Sequence, residues 1–178
     1  MTKIEYSRAS EATTLCKACG LCCTGHLFSW VRLKATELTP SEKLGLNVVR
    51  NDPRQRGFTQ PCPVWNGICT IYESPHYPRG CESYKCKLLR ELLDESVSLS
   101  DALAVVDETK NLIHQVETHL PKSAHSSFRE RFTAQVKALN NSAKQGHNLE
   151  FKALAETVLG IIENTFGVKD FFDKAEEK

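Results

Sequence analysis

Apolar residues are distributed in two different ways along this chain. After residue 99 they recur at spacings of three and four: Ala102, Val105, Val106, Leu112, Ile113, Val116 and Leu120. That spacing lines one face of an α-helix and predicts a helix over Asp101–Leu120. Ser100 is suited to cap it, Asp101 favours the positive end of the helix dipole, and Pro121 stops it. Phe128, Phe132, Val136 and Leu139 predict a second helix over Ser126–Lys144. Leu154, Val158, Ile161, Ile162 and Phe166 predict a third over Leu149–Phe166, with Gly167 as its C-cap. Leu88, Leu89, Leu92 and Leu93 predict a short helix over Cys86–Asp94. Stripes of this kind face a packed core, and no chemically decisive residue stands in them.

Before residue 87 the periodicity fades. Leu27–Ala35 alternates in part and carries Phe28, Trp30 and Val31, which predicts a strand. Thr39-Pro40-Ser41-Glu42 fits a capping box with Thr39 as N-cap and Glu42 reaching back, so a short helix to Leu46 is expected. From Asn51 to Cys86 the chain is rich in Pro, Gly and turn-forming residues, and six of the seven prolines lie in residues 1–86. Loops of this composition need a source of order other than periodic packing, and metal ligation is one. The division suggests a cysteine-rich module over residues 1–86 and a helical region over 87–178. No internal repeat or low-complexity segment interrupts it.

Composition narrows the classes. The chain is 40% hydrophobic and 25% charged, ordinary for a globular protein. A net charge of +1 gives no general attraction to nucleic acid or to an anionic membrane. No run approaches the ~20 apolar residues of a membrane helix. The N-terminus lacks a basic segment followed by an apolar core, so a secretory signal is not expected. The expectation is a cytoplasmic protein, where structural disulfides are rare.

All eight cysteines fall between residues 16 and 86. Cys16, Cys19, Cys22 and Cys23 form CKACGLCC, and Cys62, Cys69, Cys81 and Cys86 follow. A C-x2-C spacing lets two thiolates converge on a metal, and three cysteines at that spacing resemble the run in small iron–sulfur proteins. Separate C-x2-C pairs are the commoner zinc arrangement. Adjacent Cys22 and Cys23 would point to opposite sides of an extended segment and serve different purposes. Pro61 and Pro63 flank Cys62, and Asn66-Gly67 marks a tight turn before Cys69. One partition gives Cys16, Cys19, Cys22 and Cys62 to one centre and Cys23, Cys69, Cys81 and Cys86 to another.

His26 and His76 lie among the cysteines and are further ligand candidates, though lone histidines are more often structural. A Cys–His catalytic pair would need a thiol that ligation leaves available. Phe28, Trp30, Trp65, Tyr72, Tyr77 and Tyr84 flank the cysteines and are suited to screening a centre from water. Arg79, Lys85, Lys87 and Arg90 make only a small basic patch.

CKACGLCC followed by CPVWNGICTIYESPHYPRGCESYKC resembles the YkgJ-type cysteine-cluster family, a zinc- or iron-chelating domain. Cys62, Pro63, Gly67, Cys69, Ile71, Tyr72, Pro78, Cys81 and Cys86 match its pattern. The chain departs at residues 74–82, where its stretch is slightly longer and Glu82 stands where an arginine is common. The resemblance covers about residues 16–86 and implies metal or cluster binding through all eight cysteines. Flagellin lysine methylases resemble the same family, which makes cluster-dependent methyl transfer a less favoured alternative, with little support in this sequence. The chain has neither a glycine-rich cofactor loop nor a C-x3-C-x2-C motif.

These observations predict a mainly α fold, or a small α+β one, with three to four helices supporting an irregular metal-bound module. The expected function is binding of a metal or a 4Fe–4S cluster, in a redox, sensing or accessory role with a protein partner. A zinc-organised interaction module without redox chemistry is the alternative.

Overall fold

Gly20, at φ +67°, ends a helix that the apolar pattern does not announce. The computed structural model describes residues 3–52, 56–123, 126–141, 149–169 and 171–172, with the backbone alone for 3–9 and 140–141. Helix α1 runs Lys3–Cys19, and of its described side chains only Leu15 is fully buried. One fully buried side chain among residues 10–19 leaves little periodicity to detect there. Residues 142–144, the end of the expected second helix, lie outside the described residues.

The fold is mixed, mainly helical with a small sheet. Two compact units are interleaved in sequence: residues 1–19, 86–124 and 130–178 make a helical unit, and residues 20–85 and 125–129 make a second. In the helical unit α1 packs on α4 (Lys87–Leu93) and α5 (Leu99–Glu117), and α5 packs on α7 (Leu149–Asn164). Helix α6 (Phe128–Asn141) carries Phe132, whose ring meets Phe151 of α7 edge-on at 6.2 Å and Phe171 at 5.8 Å.

The core of α5 follows the expected stripe at Ala102, Val106, Ile113 and Val116. Thr109 completes it, fully buried, because its hydroxyl donates to the Val105 carbonyl at 2.7 Å and hides its polarity. The cap is Ser98 rather than Ser100: its Oγ accepts from the Asp101 amide at 3.1 Å. In α7 the buried stripe is Phe151, Ala155, Val158 and Ile162. Leu154 and Ile161, expected inward, are half-buried because the stripe is rotated toward Phe151.

Helix ends in this unit satisfy one another. The Lys87 and Leu88 amides of α4 donate to the Phe166 and Thr165 carbonyls that follow α7, at 3.1 and 3.0 Å. Lys87 Nζ reaches Asn164 O at 2.8 Å, and Lys110 Nζ caps α1 through Ala18 O at 2.7 Å. Orphan amides and carbonyls of opposite helix ends, and cations at carbonyl ends, are favourable pairings.

The second unit holds the strands β1 (Trp30–Arg32), β2 (Val48–Val49) and β3 (Gly57–Thr59), antiparallel in the order β1-β3-β2. The expected strand is present, shortened to three residues. Gly57 is required there, since a Cβ would lie 2.1 Å from the Val31 carbonyl oxygen. A single-turn 3-10 helix (Ala35–Glu37) leads into α2 (Leu38–Lys43), and α3 (Arg79–Ser83) follows the cysteine loops. The capping role expected of Thr39 and Glu42 falls elsewhere: Glu37 accepts from the Lys34 amide at 2.7 Å and from the Arg79 amide at 2.8 Å. Thr39 and Glu42 instead bind Arg50. Leu33, Leu38, Leu46 and Phe58 form the core of this unit.

Candidate functional site

The CKACGLCC run is half helix and half turn. Cys16 and Cys19 occupy the last turn of α1, three residues apart and therefore on neighbouring positions of one helix face. Cys16 is exposed and Cys19 half-buried. Gly20 then reverses the chain, and residues 21–25 form a turn in which Thr24 N–H donates to Gly20 O at 2.9 Å. Cys22 and Cys23 sit in this turn, so the alternation of an extended segment does not govern their directions.

Five of the cysteines, Cys22, Cys23, Cys62, Cys69 and Cys81, belong to the second unit, while Cys16, Cys19 and Cys86 belong to the helical one. Within the second unit the early and late segments meet directly. The Cys62 amide donates to the Cys23 carbonyl at 2.7 Å. The Trp65 indole lies against Gly20, where a Cβ would come within 2.1 Å of the ring. This contact and the positive φ together require glycine at position 20. Trp65 and Cys69 pair across the turn at Asn66-Gly67, with Gly67 at φ +73°. Cys62 and Cys81 both pack against the Leu33–Leu38–Leu46–Phe58 core.

Burial pushes the Cys62 thiol above its ordinary range, and the neighbouring Cys69 adds to this, while the Val64 and Trp65 amides pull the other way. Burial also raises the Cys86 thiol, against the opposing pull of the Leu89 amide and the Arg90 cation. Cys86 has a structural task as well: its Sγ is the N-cap of α4 and accepts from Leu89 N–H at 3.4 Å. This contact gives Cys86 a part in starting α4 apart from any ligation.

His26 is held by the same turn. Thr24 Oγ1 lies within hydrogen-bond distance of both Gly20 O, at 3.0 Å, and His26 Nδ1. The imidazole tautomer sets which of Thr24 Oγ1 and His26 Nδ1 donates in their hydrogen bond. The imidazole ring packs on Phe128, centroids 4.8 Å apart. His76 donates its backbone amide to Ser74 Oγ at 3.2 Å in an exposed turn. Of the flanking aromatics, Phe28 meets Tyr84 edge-on at 5.0 Å and Tyr72 meets Tyr77 at 5.2 Å, each pair within the cysteine loops. The basic patch is partly engaged, with Lys87 paired to Glu91 at 3.7 Å.

No protein-family model, curated protein or solved structure matches the chain significantly.

The donor set suits a thiophilic metal in kind. None of the eight cysteines is part of a disulfide, and seven are half-buried, neither sealed in the core nor fully in water. Soft thiolates select zinc, copper(I) or iron–sulfur clusters. Among the described residues, however, no three His, Cys, Asp or Glu side chains form a group that could hold a metal ion. Cys69 stands near enough to Cys62 for its charge to push the Cys62 thiol up. Among the described residues, no helix is long and apolar enough to cross a membrane.

Proposed function

We propose that this protein binds a metal centre through its cysteine thiolates, with an iron–sulfur cluster of the 4Fe–4S type as the leading candidate. The observation that carries the reading is the Cys62 N–H···O=C Cys23 hydrogen bond of 2.7 Å, which joins two cysteine segments 39 positions apart. Loops rich in proline and glycine carry little periodic packing to draw them together, and shared ligation is a further reason for their cysteines to meet. Cys22, Cys23, Cys62, Cys69 and Cys81 are the candidate donors of the second unit, and Cys16, Cys19 and Cys86 are those of the helical unit. The likeness of both motifs to YkgJ-type chelating domains supports the same reading.

A bound cluster supplies one-electron chemistry, suited to electron transfer, sensing or service to a partner enzyme. The chain's own part is to present thiolates, to seat Trp65 on Gly20 beside them, and to keep Cys62 against an apolar core. The test is anaerobic isolation of the full chain. A brown protein with iron and acid-labile sulfide is the expected result. A colourless protein carrying stoichiometric zinc would instead establish a zinc-organised interaction module. Cys19→Ser should lower the metal content, and full retention of metal would remove Cys19 from the ligand set.

A further inference from the structure

The turn that carries Cys22 and Cys23 is gripped by a segment about a hundred residues downstream. Ser127, Phe128 and Arg129 belong to the second unit, although the sequence places them at the start of a C-terminal helix. Each engages a different part of residues 25–27. Ser127, fully buried, fills the space over Gly25: a Cβ on Gly25 would lie 2.8 Å from the Ser127 Cβ. The Phe128 ring packs on the His26 ring. Arg129 donates its backbone amide to Gly25 O at 3.1 Å and its Nη1 to Leu27 O at 2.9 Å.

Arg129 is 6% exposed, an unusual placement for a guanidinium. Desolvating that cation is costly, so its hydrogen bonds must be satisfied within the fold. Its planar fork fixes both distance and direction. The turn it holds returns through Leu21, whose carbonyl accepts from the His26 and Leu27 amides at 3.0 and 3.2 Å. Leu27 is therefore bonded on its amide to the residue before Cys22 and on its carbonyl to Arg129.

We propose that Arg129 is a positioning residue for the Cys22–Cys23 turn, so that metal capture depends on it although it ligates nothing. This rests on the metal-binding reading above. Partners that orient metal ligands typically contribute roughly ten- to a hundredfold to affinity, and an effect of that size is expected here. Losing Arg129 frees Leu27 O and loosens the turn without removing a thiol. Gly25→Ala attacks the same grip from the other side, through the 2.8 Å approach to Ser127 and the φ of +78°.

The experiment titrates the metal-free full chain with cobalt(II) under reducing conditions and follows the thiolate-to-cobalt charge-transfer absorption. Arg129→Met and Gly25→Ala should bind cobalt roughly ten- to a hundredfold more weakly and with an altered band, while Arg129→Lys falls between them and wild type. Arg50→Gln, a change at an exposed salt bridge of the same unit, should leave affinity and spectrum unchanged. If the wild-type chain takes no cobalt, the inference falls, while the iron–sulfur reading still stands or falls by the iron and acid-labile sulfide of the anaerobically isolated chain. If wild type binds and the folded Arg129→Met and Gly25→Ala variants match it, the inference alone is overturned. Should Arg129→Met not fold by circular dichroism, Arg129→Lys and Gly25→Ala decide: wild-type affinity in both overturns the proposal, and weakened binding sustains it.

Discussion

Gly20→Ala isolates the contact that ties the first cysteine run to the second. The new methyl would lie 2.1 Å from Trp65 Cζ2 and 2.4 Å from Cη2, far inside van der Waals contact. It would also occupy a backbone at φ +67°. The left-handed conformation costs a residue with a Cβ roughly 1–2 kcal/mol. Overpacking adds roughly 1–3 kcal/mol, so the full cost is roughly 2–5 kcal/mol, a large share of the stability of an ordinary domain. Trp65 is half-buried and can leave its seat, which would exchange the steric cost for exposure of the indole. Urea unfolding of the metal-free chain in a Trp30→Phe background separates the two responses, because Trp65 is then the one tryptophan. Either the midpoint falls with little change in emission, or the emission shifts to the red with a smaller fall. Adding Trp65→Ala should reduce the cost of Gly20→Ala to the backbone part alone, roughly 1–2 kcal/mol. A Gly20→Ala chain with the wild-type midpoint and emission would refute the contact and the argument built on it.

Other perturbations test separate parts of the fold. Phe58→Ala empties the centre of the second unit, where Phe58 is 1% exposed; a loss of roughly 3–5 kcal/mol is expected by denaturant titration. Ser98→Ala removes the acceptor of the Asp101 amide and should cost about 1 kcal/mol in thermal unfolding. The metal-free chain should lose stability in alkali: folding raises the Cys62 and Cys86 thiols above their ordinary value of 9.0, so the unfolded chain releases these protons first. Their contribution is fully present below that value and declines as pH rises through and above it. Urea midpoints of wild type and Cys62→Ala at neutral pH and in alkali check the sign, and an equal fall in both would remove Cys62 from the account.

The helices were legible where burial follows periodicity. Ala102, Val106, Ile113 and Val116 of α5 needed nothing beyond their spacing. Thr109 was invisible to that reading because a threonine counts as polar until its hydroxyl finds the Val105 carbonyl. Helix α1 left no pattern, since Leu15 is the one fully buried side chain described in it. The cap at Ser98 rather than Ser100, and the use of Glu37 rather than Glu42, turn on a shift of a few residues that local motifs do not resolve. At the site, the eight cysteines and the Asn66-Gly67 turn were plain in the sequence. The grip of Ser127–Arg129 on residues 25–27 was not, because it joins segments a hundred residues apart and its charged member, Arg129, belongs to a type seldom buried. The Trp65–Gly20 seat was hidden for the same reason: glycine next to a cysteine suggests backbone freedom, and only the fold gives the indole that needs the space.

The central claim is that the cysteines grip a metal centre, and differential alkylation tests it most directly. The full chain, isolated without oxygen, is labelled with iodoacetamide before and after metal is removed, and each cysteine is followed by mass spectrometry. The account predicts that Cys22, Cys23, Cys62, Cys69 and Cys81 resist labelling until the metal is stripped, although none of the five is sealed in the core. A metal-free protein whose thiols all label at once, or are found oxidised to one another, would contradict it.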